Sequence, residues 1–171
     1  MKKAIALLFM TSLAAVAQSS NGYLFFGGGG ILSTDPKSGG LVHIGAGGDV
    51  LAAKGLGVNA EIGGLYGWVY GAGGYFSFAP GLSFHFSHGK KGKVDPFLTG
   101  GYTLLSTSKA HGNLVHLGVG LTVWGRGRAG FRVEFRDQIG STSDFLHTAP
   151  TGAIHFLEFR VALALRPRGA G

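Results

Sequence analysis

Apolar and polar positions alternate along most of the chain. In Phe131–Asp137, Phe131, Val133 and Phe135 share one parity, and Arg132, Glu134 and Arg136 share the other. A β-strand sends successive side chains to opposite faces, so this stretch has one greasy face and one ionic face. Ile154–Leu165 repeats the pattern, with Leu157, Phe159, Val161, Leu163 and Leu165 against Glu158 and Arg160. Six further segments alternate in the same way, at about Gly22–Ile31, Gly40–Leu51, Leu56–Tyr66, Gly74–Ser87, Val94–Thr107 and Leu114–Trp124. Pro80 and Gly81 interrupt the fourth of the eight, which predicts a bend or bulge there.

The alternation leaves two architectures open. The apolar face packs into the core of a soluble β-sandwich or lipocalin-like barrel, or it faces lipid while the ions fill a barrel. Strand length favours lipid. The segments run about 10–13 residues, against ~5–6 for globular strands and ~9–11 for tilted membrane strands. Charge placement agrees: Glu61, Arg132, Glu134, Arg136, Glu158 and Arg160 share the polar class with small residues, and only Asp137, near a strand end, falls outside it. A basic residue facing lipid near the midplane costs ~2–4 kcal/mol, which explains the exclusion. An eight-stranded barrel has room inside only for side chains, and small residues with a few ion pairs fill it. The expected fold is therefore an all-β, eight-stranded antiparallel up-and-down transmembrane β-barrel.

The N-terminus adds an address. Lys2 and Lys3 precede a short apolar run, and Ala15 and Ala17 form a small-residue exit. This has the form of a secretory signal peptide over 1–17, leaving an outer-membrane barrel domain over 18–171. The run is shorter than the ~20 residues of a membrane-spanning helix. There is no cysteine, and glycine is abundant, 33 of 171 residues, lying within the alternating segments where curvature and close packing need it. The net charge is +7, yet its cations cluster in turns: Lys90, Lys91 and Lys93, then Arg126 and Arg128, then Arg166 and Arg168. An exported chain with basic turns reads as solvated or headgroup-facing, with no nucleic-acid partner expected.

With VDPFLTGGY after a basic turn, then GFRVEFRD and HFLEFRVALALRP, the chain resembles the small eight-stranded outer-membrane barrels of the OmpA/OmpX and opacity-protein kind. The resemblance extends over nearly the whole of 18–171. It implies a Gram-negative cell envelope, a periplasmic N-terminus, four outer loops, and contact with outer-membrane lipid and the barrel-assembly machinery. Such barrels usually end on an aromatic residue; here RPRGAG follows Leu165.

Candidate chemistry is sparse. Glu61, Arg132, Glu134, Arg136, Glu158 and Arg160 can form an interior ion network, with strands seven and eight meeting directly across their pair. The expected role of that network is structural filling; the alternative is a gate or narrow pore. His85 and Ser87 form an H-x-S motif like that of lipid A deacylases on eight-stranded barrels, but no acid stands near it in sequence, and it adjoins a turn expected to be periplasmic. The seven histidines show no metal-ligand spacing, and Gly27–Gly30 lacks the Lys-Ser/Thr and helix of a nucleotide loop. No cofactor, metal site or catalysis is expected. The expected role is structural or surface interaction, with an extracellular ligand met through the loops near Ser33–Gly39, Ser106–Asn113 and Ile139–Gly152. The alternatives are a small pore, a lipid-modifying barrel enzyme, or a soluble periplasmic β-protein.

Overall fold

A computed structural model describes residues 19–33, 38–68, 72–87, 93–108, 111–141 and 152–167. The expected signal segment, 1–17, lies outside the described residues, as does most of the loop near Ile139–Gly152. Eight strands follow one another: β1 Ser19–Ser33, β2 Gly39–Ala53, β3 Leu56–Trp68, β4 Ala72–His85, β5 Val94–Ser106, β6 His111–Trp124, β7 Ala129–Ser141 and β8 Ala153–Leu165. Each pairs antiparallel with the next, and β8 closes onto β1. The chain is a closed up-and-down transmembrane β-barrel.

The register fixes the barrel's shape. The ladder runs from Asn21 through Asp49, Asn59, Gly81, Gly101, His116, Gln138 and Phe156 to Ile31, ten residues further along β1. Ten residues at ~3.3 Å against eight strands at ~4.8 Å gives a tilt of about 40° and a backbone radius of about 8 Å. Strands of 13 to 15 residues tilted this much clear the ~25 Å apolar band of an outer-membrane barrel.

The alternation resolves as expected for lipid outside and ions inside. β3 reads exposed–buried almost without a break, with Glu61 buried and Ile62 54% exposed. Leu24, Ile44, Phe76, Leu82, Val115, Leu117, Phe135 and Phe159 are likewise half exposed or more, while Asp49, Arg136 and Glu158 have no exposed surface. Phe135 stands near the middle of the outward band. Phe135→Arg is expected to lower stability in lipid bilayers by ~2–4 kcal/mol, read as an earlier urea midpoint in vesicles.

One expectation changes in detail. β4 carries no bulge at Pro80: its register to β5 is the same on both sides, and only Ala79 and Pro80 drop out of that ladder. Proline has no N–H to donate, so a gap forms where the strand continues. The irregularity lies instead between Leu51 and Ala53, just before the two-residue turn Lys54–Gly55. Both turn residues have positive φ, 48° and 86°, as the twist of a tight hairpin requires.

The start of β1 and the end of β8 lie at one end of the barrel, together with the β2–β3, β4–β5 and β6–β7 connections. The β1–β2, β3–β4, β5–β6 and β7–β8 connections lie at the far end.

Candidate functional site

Apolar clusters and polar groups fill the lumen. Nearest the termini, Tyr23, Phe25, Trp124, Ala162 and Ala164 form an apolar cluster among the inward side chains. At the far end, Ile31, Leu41, Leu65, Leu105, Leu114, Ile154 and Phe156 pack together, with Tyr75 against them. The polar groups fill the space between the two and continue alongside the first cluster through Arg132 and Asp49 to His85 and Asp95.

Glu61, on β3, is the centre of these polar groups. It receives Arg136 Nη1 at 2.6 Å and Nη2 at 2.8 Å, Arg160 Nη1 at 2.7 Å, and the Tyr23 hydroxyl at 2.7 Å. Glu134 receives Arg136 Nε at 2.8 Å and the Thr99 hydroxyl at 2.9 Å. Arg132 donates to Asp49 at 3.0 Å and lies over the rings of Phe97 and Tyr23, at 3.6 and 4.4 Å. Arg160 stands 4.4 Å over Phe25 and donates to His43 Nδ1 at 2.9 Å. Glu158 sits beside Arg160 and accepts from the Gln138 amide at 3.2 Å. All six residues singled out from the sequence are at most 3% exposed.

The partners differ from the sequence expectation. Glu134 faces Arg160 in the β7–β8 register, and Arg136 faces Glu158, yet no arginine–carboxylate pair joins β7 to β8 among the described residues. Arg136 and Arg160 both reach across the lumen to Glu61. A lumen this narrow brings opposite walls within reach of a long arginine, so the cross-lumen pair competes with the adjacent strand and wins. Sequence reading omitted Asp49, Asp95, His43, Tyr23, Thr99 and Gln138 from the network. The signal was present for Asp49, Asp95 and His43, since their parity places them inward.

Among the described residues, five buried carboxylates (Asp49, Glu61, Asp95, Glu134 and Glu158) meet three buried guanidiniums. Histidines stand at the surplus acids. His43 is 3.2 Å from Glu158, and His85 lies between Asp95, at 2.7 Å, and Asp49, at 3.9 Å. Asp95 is thus the acid that the H-x-S motif lacks in sequence. The arrangement is not that of a hydrolase, because His85 Nε2 points toward Asp49 and Ser87 bonds Asp95 instead. His85 is also 1% exposed and stands at the end shared with the termini.

The gap among Tyr23, Phe25, Arg132, Glu134, Arg160 and Ala162 has no room for a water molecule. No cluster of three or more His, Cys, Asp or Glu able to hold a metal occurs among the described residues. On the outer wall, Asp137 turns outward and accepts from, or shares a proton with, His155 Nδ1 at 2.9 Å.

No protein-family model matches the chain, and no curated protein sequence matches it. Solved structures do. The N-terminal β-barrel domain of Pseudomonas aeruginosa OprF is similar at 13% identity and a TM-score of 0.53, over 87% of this chain and 99% of that one. Pseudomonas aeruginosa OprG is similar at 9% identity and 0.57, over 88% and 97%. Neisserial surface protein A is similar at 9% identity and 0.57, over 86% and 97%. At these identities the likeness carries the fold, and it agrees with the closed eight-strand register: the chain has the fold of the eight-stranded outer-membrane β-barrels.

Proposed function

We propose that the chain is an outer-membrane protein that acts by structure and surface contact, with neither a conducting lumen nor catalysis. The termini and basic turns face the periplasm, and the far-end loops near Ser33–Gly39, Ser106–Asn113 and Ile139–Gly152 present the contact surface. The barrel-assembly machinery and outer-membrane lipid are its constitutive partners. One observation carries this reading: the middle of the lumen is filled by buried side chains, with Glu61, Glu134 and Glu158 each held by arginine. A path for ions needs water-sized space beside its charges, and the gap around Arg132, Glu134 and Arg160 has none. The interior network is on this view a plug that supports the loops on a rigid wall.

Purified protein in planar bilayers is expected to show no stable conductance steps. In cells, replacing 142–150 with a short turn is expected to remove ligand or surface binding while the folded barrel persists in the membrane fraction. Steady single-channel current from the unaltered chain, abolished by Glu134→Ala, would overturn the plug in favour of a gated pore.

A further inference from the structure

Among the described residues, an acid–imidazole pair departs from the rule that keeps ions off the outer wall. Asp137 on β7 and His155 on β8 both face outward, with side chains 28% and 39% exposed. The imidazole Nδ1–H donates to Asp137 Oδ2 at 2.9 Å and stands 3.2 Å from Oδ1. In register, Asp137 lies between Leu117 of β6 and Leu157 of β8, and His155 lies between Ile139 of β7 and Leu32 of β1. Leu117, Ile139 and Leu32 are all exposed. The pair is thus an ionisable spot framed by lipid-facing side chains. Ionisable groups in such a setting are costly and mark functional sites.

The strands set its depth. Asp137 stands four residues from the far end of β7, and His155 two residues from the far end of β8. At the ~2.5 Å of axial rise per residue that a tilt of about 40° gives, they lie about 10 and about 5 Å below the far rim. Strands of 13 residues then rise about 33 Å, so an apolar band of ~25 Å begins about 4 Å below that rim. The pair sits within about 6 Å of the band's far edge, where headgroups meet acyl chains. Beside it β1 is bare. Gly30 is opposite Leu157 and Gly28 opposite Phe159. A Cβ on either glycine would meet only a backbone oxygen, at 3.8 and 3.7 Å. These positions leave a low strip of wall running from beside the pair toward the midplane.

Hydrogen-bond polarity decides what the pair takes. An ionised carboxylate only accepts, in about four directions. A neutral imidazole whose Nδ1–H is given to a carboxylate presents Nε2 as an acceptor too. Both groups call for donors, at a depth where a diacylglycerol phospholipid offers ester carbonyls, which accept. We propose that the pair binds one lipid of the far leaflet whose acyl–headgroup junction carries hydroxyl or amide N–H donors, as an amide-linked 3-hydroxyacyl amino-sugar lipid does. The junction donates to Asp137 and to His155 Nε2, and an acyl chain lies over Gly30 and Gly28. Hydrogen bonds from hydroxyl to carboxylate are short and charge-assisted. With the orientation proposed above this leaflet is the outer one; the binding itself depends on neither that orientation nor the contact loops.

The test is native mass spectrometry of the full chain after incubation with one of two lipids. The first is glucosamine 1-phosphate carrying one amide-linked and one ester-linked 3-hydroxymyristoyl chain. The second is dimyristoylphosphatidylglycerol, which matches it in chain number and in having one phosphate. The unaltered protein is expected to retain the amino-sugar lipid several-fold more than the phosphatidylglycerol. Asp137→Leu is expected to bring the two level, with its urea midpoint in vesicles unchanged or higher, since the change removes a charge from the apolar wall. His155→Phe serves as a second variant if Asp137→Leu fails to fold. Equal retention of the two lipids by the unaltered chain overturns the site, as does selectivity undiminished in a folded variant. A dimer in the spectrum that Asp137→Leu dissolves also overturns it, because a second copy of the chain would then cover the pair.

Discussion

Glu61→Ala is expected to be the most destabilising single substitution in the lumen. The change removes the shared partner of Arg136, Arg160 and the Tyr23 hydroxyl, and it does so where neither guanidinium has exposed surface to speak of. Arg136 keeps Glu134 and Arg160 keeps Glu158, so neither becomes solitary. Each nevertheless loses short hydrogen bonds at a site where it has almost no exposed surface. Breaking a buried ion pair by removing one partner costs ~3–5 kcal/mol, because the remaining charge stays desolvated. A loss of that size is expected in the urea midpoint of the protein folded in vesicles. Lys54→Ala, in the exposed hairpin turn, is expected to stay within ~0.5 kcal/mol of the unaltered chain. A Glu61→Ala barrel as stable as the parent would mean that the lumen is hydrated and the network is ornamental to stability.

The second large effect separates two adjacent glycines. Gly63 faces the lumen and Gly64 faces lipid. A Cβ on Gly63 would stand 2.6 Å from the Ile44 carbonyl and 3.1 Å from both His43 Nε2 and Ser77 Oγ. The first of these is backbone of the neighbouring strand and cannot turn aside. A Cβ on Gly64 meets nothing within 4 Å. Gly63→Val is therefore expected to cost ~1–3 kcal/mol or more by overpacking. Gly64→Val is expected to be neutral or stabilising by up to ~1 kcal/mol, since a β-branched residue suits a strand better than glycine. The comparison holds strand, sequence neighbourhood and chemistry constant and changes only the face, so equal effects would contradict the assignment of inside and outside.

The fold was legible in the sequence because one physical rule repeats through every strand. Alternation has a period of two, and a single slip would move Arg132, Glu134 and Arg136 into lipid together. That redundancy makes the strands and their inward faces readable without any tertiary information. Strand ends were less legible. β1 extends to Ser19 and Ser33, beyond the readable Gly22–Ile31, because backbone pairing continues where side-chain alternation fades into small residues. The interior pairing was legible only in its membership. Arg136 and Glu158 are neighbours in register, but register says nothing about the opposite wall, and the partner of Arg136 is set by lumen radius. Asp95 shows the same limit. It stands ten residues from His85 and meets it only because β4 and β5 fold back on each other.

The cysteine-free chain permits the most direct test of the central claim, that the apolar face meets lipid and the polar face meets itself. Single cysteines placed in turn from Val115 to Val123 along β6, with the protein in vesicles, are spin-labelled and read for collision with oxygen, which dissolves in lipid. The account predicts a period of two: high oxygen accessibility at Val115, Leu117, Val119, Leu121 and Val123, and low accessibility at the positions between them. A profile without alternation, or one with its maxima at His116, Gly118, Gly120 and Thr122, would contradict it.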